Sequence, residues 1–99
     1  MLYAFICEDA TDSLPIRKRV RNDHLRNVQQ LKDEGRLVLA GPHPKMDSED
    51  AGEAGFSGSL IVAEFSDLAS AEAWINDDPY VTEGVFCKVT VKPFKQVMP

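Results

Sequence analysis

The chain has 99 residues, enough for one domain with one core, and its 16 acidic against 11 basic residues leave a formal charge of -5. That balance excludes the phosphate-neutralising surface on which nucleic-acid binding depends. No apolar stretch reaches the roughly 20 residues of a bilayer span, so no membrane partner is expected.

"LYAFIC" (2–7) is apolar, with aromatic and β-branched content, and predicts the first strand. "MLYAFICEDA" lacks the basic start and long apolar core of a secretory leader, which predicts a cytoplasmic protein. Asp12 or Ser13 is placed to cap a helix, with Pro15 in its first turn. Val20, His24, Val28 and Leu31 then recur at helical spacing, flanked by Leu25, until Gly35 ends the pattern. Within that helix "RKRVR" (Arg17, Lys18, Arg19, Arg21) reads as a solvated face.

"RLVLAGP" (36–42) predicts a second strand and the polar, glycine-bearing stretch 43–58 a long loop. Its glycines run GxxGxxG, without the strand-to-helix context of a dinucleotide site. "GFSGS" within it reads as a turn. "SLIVAEF" (59–65) is the third strand and "SDLASAEAWI" (66–75) a second helix, capped by Ser66 or Asp67. Asp78-Pro79 in "NDDPYVTEG" is the signature of a further helix start, and "VFCKVTVKPF" (85–94) is the last strand. Cys7 and Cys87 lie 80 residues apart in apolar runs, which predicts two small buried thiols in a reducing compartment.

The order βαββαβ is the ferredoxin-like α+β unit. Right-handed crossovers give a four-stranded antiparallel sheet of order 4-1-3-2 with both helices on one face. The other face should then be polar, but the pattern disagrees. In strand 1, Leu2, Ala4 and Ile6 alternate with Tyr3, Phe5 and Cys7, so both faces are apolar. In strand 4, Val85, Cys87, Val89 and Val91 make a core face, and Phe86, Lys88, Thr90 and Lys92 a mixed one. Pairing the helix-free faces of two copies into a closed barrel resolves the conflict, so a homodimer is expected.

Chemistry centres on two residues. Taken singly, His24 is a core histidine and Asp78 a helix cap. Taken together they form a pair in which the carboxylate orients the imidazole and leaves its second nitrogen free as a base. Burial disfavours the imidazolium and the carboxylate favours it, and opposing effects of similar size suit a general base. Ser57, Ser59, Tyr80 and Tyr3 could donate hydrogen bonds to a substrate oxygen, although neither serine has a nucleophile's GxSxG setting. His43, between two prolines, reads as a surface residue. Two histidines on separate elements make no metal site, and no cofactor is expected. These readings give a cofactor-independent enzyme working on a small molecule by proton transfer, or alternatively a non-catalytic dimer that binds a small metabolite.

The segments "MLYAFICEDA.DS", "L.DEGRLVLAGP" after His24, "AGFSGSLIVAEF", "A.AWINDDPYV..GV" and "V.VKPFK" together resemble the YCII-related family over nearly the whole chain, 1–99, as a single domain. The resemblance implies a ferredoxin-like unit that dimerises into an α/β barrel, with an active site built on a His–Asp pair. That pair carries over onto His24 and Asp78, and Gly41-Pro42 and Gly58-Ser59 match positions lining the same region. A family relative resembles a dehydrochlorinase of chlorinated hydroxyhydroquinones, and similar barrels include muconolactone isomerases and cofactor-free monooxygenases. The implied substrates are small, cyclic or aromatic, and oxygenated.

Overall fold

The computed structural model describes residues 1–99. In chain order it contains β1 (Leu2–Asp9), α1 (Leu14–Asp33), β2 (Leu37–Pro44), β3 (Phe56–Glu64), α2 (Leu68–Asn76), α3 (Pro79–Thr82) and β4 (Phe86–Phe94), with a single 3-10 turn at Gly52–Ala54. The sheet runs β2-β3-β1-β4, every pairing antiparallel, which is the expected 4-1-3-2 order. No helix is long and apolar enough to cross a membrane.

Side-chain period determines which face each helix buries. Arg17, Val20, His24, Val28 and Leu31 are the buried residues of α1, spaced as one stripe of a 3.6-residue helix. Gly35 stops that helix with φ +73°, a left-handed backbone that glycine adopts without strain. Asp67 starts α2 by accepting from the Ser70 N–H at 2.7 Å. The stripe packs on Tyr3, Phe5 and Cys7 of β1 and Ile61 and Ala63 of β3, all part of one core cluster. Phe5, fully buried, meets Phe65 and Trp74 edge-on at 5.6 and 5.4 Å. Burial pushes the Cys7 thiol up to about 12, so it stays protonated in the interior.

Two expectations are corrected. The long loop shrinks to 45–55, because β2 continues through His43 and Pro44 and β3 begins at Phe56. Residues 56–59 of "GFSGS" are therefore strand rather than turn, and His43 is an exposed strand residue paired with Gly58. Gly58 explains why this strand does not look like one. A Cβ there would lie 2.0 Å from the Cys7 carbonyl oxygen, so close approach of β1 admits only the residue that usually signals a turn.

The second correction concerns β4. Glu8 pairs with Lys88 but Asp9 pairs with Phe86, leaving Cys87 as the extra residue of a bulge. The bulge reverses the alternation. Phe86 turns onto the helix-covered face and is buried, whereas Cys87 is exposed instead of buried. Both cysteines are free thiols.

The helix-free face is apolar along much of β1 and mixed along β4, where Thr90 and Lys92 pair with Ile6 and Ala4, as expected. Ile6, Leu39 and Phe94 remain 39%, 46% and 40% exposed on it, which is a substantial apolar area for one chain to leave in water.

Candidate active site

Helix α1 and the short segment after α2 bring His24 and Asp78 together. His24 Nδ1 lies 2.8 Å from Asp78 Oδ2. The same oxygen accepts the Tyr80 backbone N–H at 2.9 Å, which is the cap that starts α3. Asp78 Oδ1 accepts from Asn27 Nδ2 at 2.7 Å. The carboxylate is fully buried and surrounded by donors, so the proton of the neutral imidazole belongs on Nδ1. No wholly buried side-chain nitrogen or oxygen in the chain lacks a hydrogen-bond partner. Nε2 makes no hydrogen bond and is not wholly buried, and His24 lines a cavity.

The Tyr80 ring stacks on the imidazole at 3.9 Å and 6°, and Phe86 closes on Tyr80 edge-on at 5.5 Å. Together these rings fix the imidazole plane. Burial raises the Tyr80 hydroxyl above its ordinary range, and that hydroxyl donates to the Arg17 carbonyl at 3.4 Å.

A second polar cluster stands beside the pair, and the sequence reading missed it. Arg17, read as part of a solvated face, is 5% exposed. Its Nε and Nη2 donate to the two oxygens of Asp9 at 2.7 and 2.8 Å, a bidentate ion pair. Nη2 also donates to the Gly58 carbonyl and the Ser59 hydroxyl, each at 3.0 Å. Ser13, one of the two expected helix caps, instead donates to Asp9 at 2.5 Å and makes no side-chain cap. The guanidinium lies over Phe56 and Tyr80, 4.9 and 5.0 Å from their centroids. The missed signal was periodic: Arg17 shares the helical phase of Val20 and His24.

These groups border a cavity of about 540 Å³, within the range of small-molecule sites. His24, Ser59, Tyr80, Gly41 and Pro42 all line it, as does Arg17. Asp78 sits behind His24, and Gly58 contributes its carbonyl to Arg17 rather than a cavity wall. Tyr3 is packed in the core, and Ser57 is exposed and donates to the His43 carbonyl at 3.4 Å. The stretch 45–55, through Glu49 to Gly52, supplies one side of the cavity.

The fold is a ferredoxin-like α+β arrangement, and solved structures superpose on it. A 5-chloro-2-hydroxyhydroquinone dehydrochlorinase from Burkholderia phenoliruptrix, solved with 2,5-dihydroxybenzoquinone, superposes at a TM-score of 0.85 with 22% identity, covering 96% of this chain and 94% of that one. A Pseudomonas aeruginosa protein superposes at 0.51 with 12% identity, covering 98% and 93%. At these identities the likeness is one of fold. The family comes from sequence: the YCII-related domain matches residues 1–95, and this chain belongs to that family. Protein YciI of Escherichia coli and of Shigella flexneri are each 54% identical over 97 residues, 98% of this chain and 99% of theirs. An uncharacterized Haemophilus influenzae protein is 45% identical over the same extent.

Proposed function

We propose that this protein is a cofactor-independent enzyme that moves a proton on a small, oxygenated cyclic or aromatic molecule. His24 Nε2 is the acid or base, and Asp78 is the positioning residue that fixes the tautomer and balances the imidazolium when it forms. The observation that carries this reading is the 2.8 Å His24–Asp78 contact, with the opposite ring nitrogen unbonded and His24 lining the cavity. Ser59 and Tyr80 contact the ligand, Gly41 and Pro42 shape the wall around it, and Gly58 acts behind the wall through its carbonyl bond to Arg17. The fold likeness to a dehydrochlorinase makes 5-chloro-2-hydroxyhydroquinone the first substrate to try, followed by chloride release.

Wild-type protein is expected to turn it over and His24→Ala to lose about 10²–10⁴-fold in rate while still unfolding cooperatively. Equal rates in the two proteins would remove the proton-transfer role. Retained ligand binding with no turnover in either would favour a metabolite-binding protein.

The apolar helix-free face supports pairing with a second copy, because Ile6, Leu39 and Phe94 are otherwise left in water. Sedimentation at micromolar concentration is expected to give twice the chain mass, and a species of 11.0 kDa alone would reject the dimer.

A further inference from the structure

Proton transfer leaves one feature of the cavity unused. Arg17 is nine-tenths buried, and three of its four polar contacts fix it to Asp9 and Gly58. The fourth is to the Ser59 hydroxyl. All of these use Nε and Nη2. Nη1 takes part in none of these bonds and is not wholly buried, and Arg17 lines the cavity. Ser59 is 4% exposed and accepts from Arg17, which leaves its own proton to donate. The guanidinium and the Ser59 hydroxyl are therefore neighbours on a rigid mount, and both border the cavity.

We propose that the cavity takes its ligand as an organic anion, one anionic oxygen being held by Arg17 Nη1 and the Ser59 hydroxyl. This deepens the proton-transfer reading by naming the substrate class, and it rests on that reading only for the role of His24. The Tyr80 ring provides a common ruler: the imidazole stacks at 3.9 Å and the guanidinium carbon lies 5.0 Å from the same centroid. The imidazole and the guanidinium therefore lie within about 9 Å of each other, a separation that suits a ligand with one ring and one acidic group.

The rest of the lining agrees. Leu14, Leu25, Val28, Phe56 and Ile61 make an apolar wall, which suits an organic ring better than an inorganic ion. Lys18 and Arg21 stand exposed on the α1 side of the opening, and Glu49 and Asp50 on the side of the 45–55 stretch. Those four are in solvent, where screening weakens them, and Asp50 is engaged by the Gly52 N–H at 3.0 Å. Asp9 neutralises Arg17 overall, so the selectivity comes from short, directed, charge-assisted bonds rather than from surplus positive charge.

The test uses benzoate and its uncharged counterpart benzyl alcohol, titrated into the whole protein near pH 7 and followed by heteronuclear NMR with labelled arginine side chains. Benzoate is expected to bind at least about tenfold more tightly, and to shift the Arg17 Nη resonances and the Ser59 amide. Ser59→Ala, which leaves the Asp9–Arg17 pair in place, should remove most of that preference. His24→Ala should retain it, so loss of the proton-transfer role and loss of the anion site give different results. Equal affinity for the two compounds would overturn the proposal, as would shifts confined to Lys18 and Arg21.

Discussion

Arg17→Ala is expected to destabilise the domain by about 3–5 kcal/mol, a fall in Tm of roughly 15–25 °C for a chain of this size. The reason lies less in what arginine contributes than in what its removal leaves behind. The Asp9 side chain is 1% exposed and would keep only the Ser13 hydroxyl as a partner. A buried carboxylate with no countercharge is among the costliest things a small domain can hold. The Gly58 carbonyl and the Ser59 hydroxyl lose a donor in the same event. Asp9→Ala should cost less, because Arg17 retains Gly58, Ser59 and the faces of Phe56 and Tyr80. The double variant should be more stable than Arg17→Ala alone, since it removes the orphaned charge together with its partner. Urea unfolding of the three variants measures this cycle, and strict additivity would show that the pair is not coupled.

The second large effect separates charge from shape at Asp78. Asp78→Ala is expected to cost about 3 kcal/mol or more, because the His24 ring, the Tyr80 N–H and the Asn27 amide lose their acceptor inside the protein. Asp78→Asn should stay within about 1 kcal/mol of wild type. Its oxygen can still accept from His24 and Tyr80, and its new N–H₂ faces Asn27, whose amide needs only to turn over to accept it. The imidazole keeps its tautomer and loses the negative charge opposite. If His24 is the acid or base, Asp78→Asn therefore loses rate without losing the fold, whereas Asp78→Ala loses both. Matching melting temperatures for the two variants would show that the three donors do not hold this segment in place.

The strand order and the His24–Asp78 contact were legible in the sequence, each for a physical reason. Helix phase pointed His24 at the sheet, and Asp-Pro is a helix start wherever it falls, so the short α3 and its cap were readable locally. Arg17 was not, because a buried arginine in a basic run has the same composition as a solvated one. Its helical phase, shared with Val20 and His24, and its acceptor on β1 are what distinguish the two. The bulge at Cys87 was likewise hidden. One extra residue reverses the alternation on which strand faces are read, and the sequence carries no mark of it. Gly58 misled in the opposite direction, since the glycine that lets two strands approach is the same residue that usually breaks one.

The carboxylate of Asp78 has two duties that cannot be separated. It begins a four-residue helix and it holds the imidazole, and the same helix carries the Tyr80 ring that covers the imidazole face. Fraying of that single turn would release the partner, the stacking ring and the start of the helix in one motion. The lifetime of the competent site is therefore set by the local opening of a few residues rather than by the global stability of the sheet.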